Sequence, residues 1–251
     1  MNRCLCFVVA ALLLSACVSD FFTHYQGMAA EEVTASGRII TTTQEPSLTD
    51  YPKDVPLSDF EAMLFEDGYI MLGSSTFTGS RGSRDQALEQ GKALGASLVA
   101  YGETYSHTTS GVTSSDRRVN DYNVNTGETT YRTVTDITPY SHDYYEYIAV
   151  YAAQYKHGGF DIMYTPLSAE QRQLLDSANG IVITAVRKGS NVDQANIVKG
   201  DIITEVNGSP VVYSVNAPYL GPLKLLQNSA NSITIFRNGS FLSKEVYVDD
   251  L

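Results

Sequence analysis

The sequence predicts an α+β fold with two structured parts. Short runs of β-branched and aromatic residues recur along the chain, and between them lie stretches with apolar residues at helical spacing. The run at 181–186 and the Asn207-Gly208 pair, a strong hairpin signal, mark the C-terminal part as rich in strands. We therefore expect a small N-terminal α/β sandwich that carries a protruding β-hairpin insertion. A β-barrel-like domain with two helices should follow it.

The first residues predict an export signal. Arg3 precedes an apolar run at 7–14, which is too short to span a membrane as a stable helix. The stretch 14–17, Leu-Ser-Ala-Cys, resembles the bacterial lipobox. That resemblance implies a lipoprotein signal peptide at 1–16 and acylation of Cys17, with palmitate as the expected kind of chain. The alternative is an ordinary secretory signal with an incidental cysteine.

Charge and cysteine content limit the partners. The formal net charge is −11, and the absence of a basic cluster argues against nucleic acid. Membrane attachment would then depend on the lipid, because an acidic surface is not drawn to anionic head groups. The chain has three cysteines, and cleavage before Cys17 would remove Cys4 and Cys6, so no internal disulfide is expected. Val18, rather than aspartate, follows Cys17. The lipobox resemblance therefore implies the outer membrane, facing the periplasm.

Residues 17–36 are predicted to form a tether, and 37–156 an α/β domain. Within it, 42–56 is polar and contains three prolines, which predicts a loop. Capping boxes that begin at Ser58 and Ser83 predict two helix starts. Strands at 69–77 and 97–105 would flank the second helix, as in one crossover unit of an α/β layer.

The insertion at 106–143 is rich in Ser, Thr, Asn and Tyr. Two alternating segments within it predict a polar hairpin with a three-residue turn at 125–127. A disordered insertion is the alternative. Residues 144–155 are apolar on both parities and predict a buried strand that returns to the sheet. Segments 69–77, 95–99 and 144–155 resemble an uncharacterised bacterial domain that often precedes a PDZ-like domain, and this resemblance implies architecture only.

In the segment 157–251, two strands, 181–186 and 202–206, are separated and followed by small or turn-forming residues. These residues are Gly180, Gly189, Ser190, Ala195, Gly200, Asp201, Asn207 and Gly208. Their spacing resembles that of bacterial PDZ domains. Asn191-Val192 and Asn196 depart from the family pattern, and another small β-rich domain is the alternative. The Gly158-Gly159 pair predicts a hinge between the two parts.

The start of this segment is similar to the PDZ domains of periplasmic trypsin-like heat-shock proteases. The resemblance implies a carboxylate-binding loop at Phe160, Asp161 and Ile162, followed by a strand with Met163 and Tyr164 that accepts a peptide as an added strand.

Asp161 stands where that family has glycine. If its carboxylate faced the site, it would repel a peptide C-terminus by about a few kcal/mol, which favours an internal segment or a different ligand. A helix from about 222 to 229 would form the far wall. Its Leu223 and Leu226 either line the groove or fill the core.

No catalytic signature is present. The sequence contains neither a Gly-x-Ser-x-Gly elbow nor a Walker-type phosphate loop, and its four histidines lack metal-ligand spacing. We therefore expect no catalytic residues, no metal, no cofactor and no enzymatic activity. The predicted function is a lipid-anchored envelope protein whose PDZ domain acts as a non-catalytic adaptor for a protein or peptide. The alternatives are a structural envelope protein with a vestigial groove and, less favoured, an enzyme based on the α/β domain.

Overall fold

The computed structural model describes residues 19–29, 32–33, 39–42, 44–156, 160–213 and 228–248. The N-terminal part contains, in chain order, α1 (Asp20–Thr23), β1 (Tyr25–Gly27), β2 (Ile39–Ile40), β3 (Ser47–Asp50), α2 (Leu57–Glu66), β4 (Tyr69–Gly79), α3 (Arg84–Ala93), β5 (Leu98–Tyr122) and β6 (Thr129–Tyr155). The C-terminal part contains β7 (Ile162–Pro166), α4 (Ala169–Leu175), β8 (Ile181–Val186), α5 (Asn191–Gln194), β9 (Ile202–Val206), β10 (Ser209–Pro210), β11 (Ser229–Arg237) and β12 (Ser240–Val248). The predicted signal peptide and Cys17 lie outside the described residues.

The first sheet has the strand order β1-β4-β6-β5-β3, and β2 also pairs with β6. Both β4 and β5 run antiparallel to β6, so β4 and β5 are parallel to each other with β6 between them. Helix α3 connects β4 and β5, which confirms the predicted crossover. Because β6 lies between the two strands that the helix joins, this is a split β-α-β unit. The fold is mixed α+β, as the sequence predicts.

Helices cover both faces of this sheet. On one face, Phe21 of α1 and Ala87 of α3 belong to the same buried cluster as Tyr101 and Tyr151. On the other face, Phe60 and Leu64 of α2 pack with Ala100, Val150 and Ala152. The close approach of α3 requires glycine at Gly91, because a Cβ atom there would lie 2.4 Å from a methyl carbon of Val99.

Two local predictions in this part are wrong. The predicted loop at 42–56 contains β3, which pairs in parallel with Leu98–Tyr101 of β5. Its residues are exposed and flanked by prolines, so the segment has no apolar alternation by which sequence could reveal a strand. Helix α2 begins at Leu57 after Pro56 and has no side-chain cap, so the predicted capping box at Ser58 does not form. The Ser83 hydroxyl does accept a hydrogen bond from the Gln86 amide, at 3.3 Å.

Strands β5 and β6 continue far beyond the rest of the sheet. Their pairing extends from Leu98↔Ala152 to Tyr122↔Thr129, whereas β4 stops opposite Tyr145. We call the part formed by residues 106–144 the ribbon. It confirms the predicted hairpin. Its turn is longer than predicted, because the Asn123 amide donates to the Glu128 carbonyl oxygen at 2.9 Å and four residues lie between them.

The second sheet has the order β12-β11-β9-β8-β7, with β10 paired to β9, and it is open because β12 and β7 do not pair. Strand β8 consists mostly of β-branched residues, a composition that suits burial on both faces. Burial instead alternates along it, so that one face is buried in the core and the other is partly exposed. The turn at Asn207-Gly208 has positive φ at both residues, which confirms the hairpin.

The last two strands, β11 and β12, form a hairpin and are paired throughout. Most of the predicted groove helix, with Leu223 and Leu226, lies outside the described residues. Ser229, near which that helix was predicted to end, begins β11 opposite Val248.

Candidate peptide-binding site

Strand β7 lies at one end of the second sheet. Among the described residues it pairs with β8 alone, in antiparallel register with an irregularity between Met163 and Tyr164. Pro166 ends the strand, and proline is characteristic of sheet edges because it has no amide to donate. An extended segment can therefore add to the outer side of β7.

The side chains around this strand build an apolar core. Phe160, Ile162 and Tyr164 are 9%, 1% and 7% exposed and belong to one buried cluster. The Tyr164 ring meets the Tyr213 ring edge to face, with centroids 6.2 Å apart. These buried side chains hold the strand against the core. The backbone of β7 is therefore the part that could pair with a partner.

Asp161 does not present its charge as the sequence suggested. Its side chain is buried, and the Tyr155 hydroxyl donates to its Oδ1 at 2.6 Å. The Arg187 amide donates to its carbonyl oxygen at 3.1 Å. Burial first, and then this hydrogen bond to Asp161, raises the pKa of Tyr155 well above its usual range. The carboxylate is therefore directed at the end of β6.

One amide of the expected carboxylate-binding loop is already used. The Ile162 amide donates to the Phe160 carbonyl oxygen at 2.8 Å, which closes a tight turn inside the loop. A peptide carboxylate would have to compete with that bond. The loop therefore suits recognition through an added strand better than capture of a free C-terminus.

The loop rests on the first part of the molecule. Phe65 of α2 stacks on Tyr155 at 5.7 Å between ring centroids, and both share a buried cluster with Ala62 and Ala185, against which Met163 packs. We call this cluster the joint. Met163 therefore contacts the joint, whereas Phe160, Ile162 and Tyr164 belong to the core of the second sheet.

Polar contacts extend the joint to the turn after β8. The Arg187 guanidinium lies 4.8 Å from the centroid of the Tyr155 ring. The Lys188 amide donates to the Glu66 carbonyl oxygen at 3.0 Å, and its Nζ lies 2.6 Å from Oδ1 of Asp67. The C-terminal end of α2 thus accepts a backbone donor and a cation, as helix ends favour.

Five of the seven predicted groove residues, Phe160 to Tyr164, lie together on one loop and strand. Tyr155, Arg187 and Phe65, which hold that loop in place, were not predicted. These three side chains come from separate elements and follow no shared periodicity or motif, so no local pattern marks them.

A depression in the C-terminal part lies away from β7. A cavity of about 430 Å³ lies between the end of α4 and strands β9 and β11, and none of its lining residues belongs to β7. Within the described ranges, no three His, Cys, Asp or Glu side chains are placed to hold a metal ion. The same part of the chain contains no helix that is long and apolar enough to cross a membrane.

The PDZ domain family matches residues 154–216. The C-terminal part of the chain is therefore a PDZ domain, a class that binds proteins or peptides. The matched range includes Tyr155 and the loop from Phe160 to Tyr164, and it ends before Leu223 and Leu226.

Two solved structures of the HtrA-type protease AlgW with decapeptide are similar in part. Each is 16% identical, and the similarity covers 40% of this chain and 36% of the AlgW chain, with TM-scores of 0.31 and 0.29. The chain thus spans little more than a third of the length of AlgW, and a likeness at this level carries no functional information. A comparison with curated proteins finds no match.

Proposed function

We propose that this chain is a lipid-anchored protein of the bacterial cell envelope that acts as a non-catalytic adaptor. Its PDZ domain would hold a protein partner by adding a segment of that partner to β7. The observation that carries this proposal is the position of β7 at the sheet edge, above the buried side chains of Phe160, Ile162 and Tyr164.

The loop geometry supports an internal segment over a free C-terminus. The Ile162 amide is engaged with Phe160, and the Asp161 carboxylate is engaged with Tyr155. Binding should therefore depend on backbone pairing along β7 and change little when the peptide carboxylate is amidated.

The test is a titration of the full chain with a peptide library in free and amidated forms, followed by hydrogen exchange. We expect binders in both forms, together with slower exchange at residues 162–166 and unchanged exchange in the ribbon. Binding that is lost on amidation would contradict the preference for internal segments. A complete lack of binders would contradict the adaptor role.

A second candidate function is favoured by the length and exposure of the ribbon. In this alternative, the protein is a structural component of the envelope and its PDZ groove is vestigial. The same titration separates the two, because only the adaptor binds a peptide at β7.

Attachment to the envelope is proposed to occur through Cys17, after removal of residues 1–16, at the periplasmic face of the outer membrane. With a net charge of −11 the chain has little attraction for anionic head groups, so the lipid must hold it. Cys17→Ala should yield a soluble or uncleaved form in membrane fractionation. A cleaved variant that stays entirely in the membrane would contradict lipid anchoring.

A further inference from the structure

Among the described residues, no strand pairs with the outer edge of β6 along the ribbon. Strand β4 pairs with β6 only as far as Tyr145, and from Thr129 to Tyr144 the described residues provide no strand on that side. A two-stranded ribbon with both faces in water is marginally stable by itself, and a long open edge is a template for further pairing.

The backbone direction of each edge residue follows from the ladder. The Asn123 amide donates to the Glu128 carbonyl oxygen, and the pairing continues without interruption from Tyr122↔Thr129 to His107↔Tyr144. Because successive residues of a strand alternate in direction, the even-numbered residues of β6 from Glu128 onward bond to β5. The odd-numbered residues direct their amides and carbonyls outward. Pro139 is odd-numbered, so its missing amide costs no bond to β5.

The side chains of this edge are symmetric in chemistry about Val134. Residues at equal distances on either side are alike or complementary: Thr133 with Thr135, Arg132 with Asp136, Tyr131 with Ile137, and Thr130 with Thr138. When two identical strands pair antiparallel about a two-fold axis, residues at equal distances from the axis lie opposite each other. The β6 edge is therefore complementary to a second copy of itself.

We propose that two copies of the chain pair through the β6 edges of their ribbons, with the two-fold axis at Val134. The two ribbons then form one continuous four-stranded sheet. The outward-facing residues Tyr131, Thr133, Thr135 and Ile137 of each copy supply the new backbone hydrogen bonds. The exposed side chains of Tyr131 and Ile137, which are 67% and 66% exposed, cover each other.

Charge complementarity fixes this register. Arg132 already lies 2.8 Å from a carboxylate oxygen of Asp121, and Arg117 lies 2.6 Å from one of Asp136. Pairing about Val134 sets Arg132 opposite Asp136 of the second copy, which joins these pairs into a row of alternating charge. Exposed pairs add little affinity, but they select one register over its neighbours.

The length of the free edge matches this register. With Val134 on the axis, Glu128 of the second copy lies opposite Tyr140, and its turn at 124–127 lies beside residues 141–144. The second ribbon therefore ends where β4 begins to pair with Tyr145, so neither copy displaces a strand of the other. If two copies paired instead through their β5 edges, with the axis at Arg117, the residue opposite Val134, the two Arg117 side chains would face each other and repel.

Cysteine cross-linking in the full chain tests the axis. Residues that face each other without mutual hydrogen bonds have Cα atoms about 4.5 Å apart, which permits a disulfide. Val134→Cys should form a disulfide-linked dimer on oxidation, above the background set by the unaltered chain. Val119→Cys, on the same face of the ribbon but on β5, should not. Equal linking of both variants, or no linking of Val134→Cys, would overturn the proposal.

A charge exchange tests the register. Arg132→Asp loses the ion pair with Asp121 within its own copy, and Asp136→Arg loses the one with Arg117, but each loss is the same in the self-dimer and in the mixed dimer. Arg132→Asp alone and Asp136→Arg alone each place like charges opposite each other in their own dimers. Mixing the two variants makes both intermolecular pairs opposite in charge, so the mixed dimer should form about ten-fold more tightly than either self-dimer. Sedimentation equilibrium of the separate and mixed chains measures this. A mixture that associates no better than its components would overturn the proposed register.

Discussion

Two strand edges among the described residues, that of β7 and that of β6 along the ribbon, differ in their surroundings. Strand β7 is five residues long and lies on a core in which Phe160, Ile162 and Tyr164 are buried. The β6 edge of the ribbon extends from Thr129 to Tyr144, and most side chains on both faces there are exposed. Both edges expose a backbone that can pair, but only one lies over a packed domain.

The difference shows where specificity for an added strand can arise. At β7, the side chains of an added segment would meet a surface built by other elements of the second sheet, so a foreign segment could be selected. At the ribbon the described residues build no such surface, and selection would come from cross-strand pairs within the edge sequence itself. We therefore propose a foreign segment for β7 and a second copy of the chain for β6.

The largest effect should follow from removing the ribbon. Replacing residues 106–144 by Asn-Gly would leave the Tyr105↔Tyr145 pair closed by a two-residue turn. We expect the dimer to disappear in sedimentation, while peptide binding to β7 stays within about two-fold, because the two edges share no residue. A persistent dimer, or a loss of peptide binding, would show that the two edges are not separate sites.

A smaller effect should follow from opening the joint beneath β7. Phe65 is 4% exposed and stacks on Tyr155, so Phe65→Ala should lower the free energy of unfolding by about 3–5 kcal/mol. Met63→Ala on the same helix is the matched control, because Met63 is 49% exposed and should cost about 0.5 kcal/mol or less.

Urea unfolding measures both variants, and peptide titration should show weaker binding only for Phe65→Ala. Dimerisation, measured under conditions in which both variants remain folded, should be unchanged. If Phe65→Ala destabilises only the first sheet and leaves the second sheet and peptide binding unchanged, the two parts do not share the joint.

The parts of the fold that sequence predicted are those set by local chemistry. The turn at Asn207-Gly208 follows from residues that accept positive φ, and it was predicted from the sequence. Strand β3 was missed because its residues are exposed and its order comes from pairing with a distant strand. The Gly158-Gly159 pair predicted a hinge and lies outside the described residues, whereas the residues around it meet in the joint.

In the candidate site, too, the features set by local sequence were predicted and those set by distant contacts were not. The loop from Phe160 to Tyr164 was located by its resemblance to a family, and the direction of Asp161 was not, because it depends on Tyr155 in another sheet. The symmetry of residue types about Val134 is present in the sequence. It indicates a pairing surface only together with the structure, in which no described strand pairs with this side of β6.

The smallest effect should follow from removing one hydroxyl group, that of Tyr155, which affects the β7 loop and not the ribbon. Tyr155→Phe removes the donor to the buried Asp161 carboxylate and should cost about 1–3 kcal/mol at neutral pH, with no effect on dimerisation.

The pKa of Tyr155 is raised in the folded state, so its contribution to stability is complete below about pH 10, the usual value for tyrosine, and is lost as the pH rises above it. Above pH 10 the free energy of unfolding should therefore fall less steeply in Tyr155→Phe than in the unaltered chain. Tyr247→Phe, a change at a 49% exposed ring, should follow the unaltered chain. Urea unfolding from pH 7 to 11 measures all three. Equal slopes for the three proteins would mean that the Tyr155–Asp161 bond does not hold the β7 loop in solution.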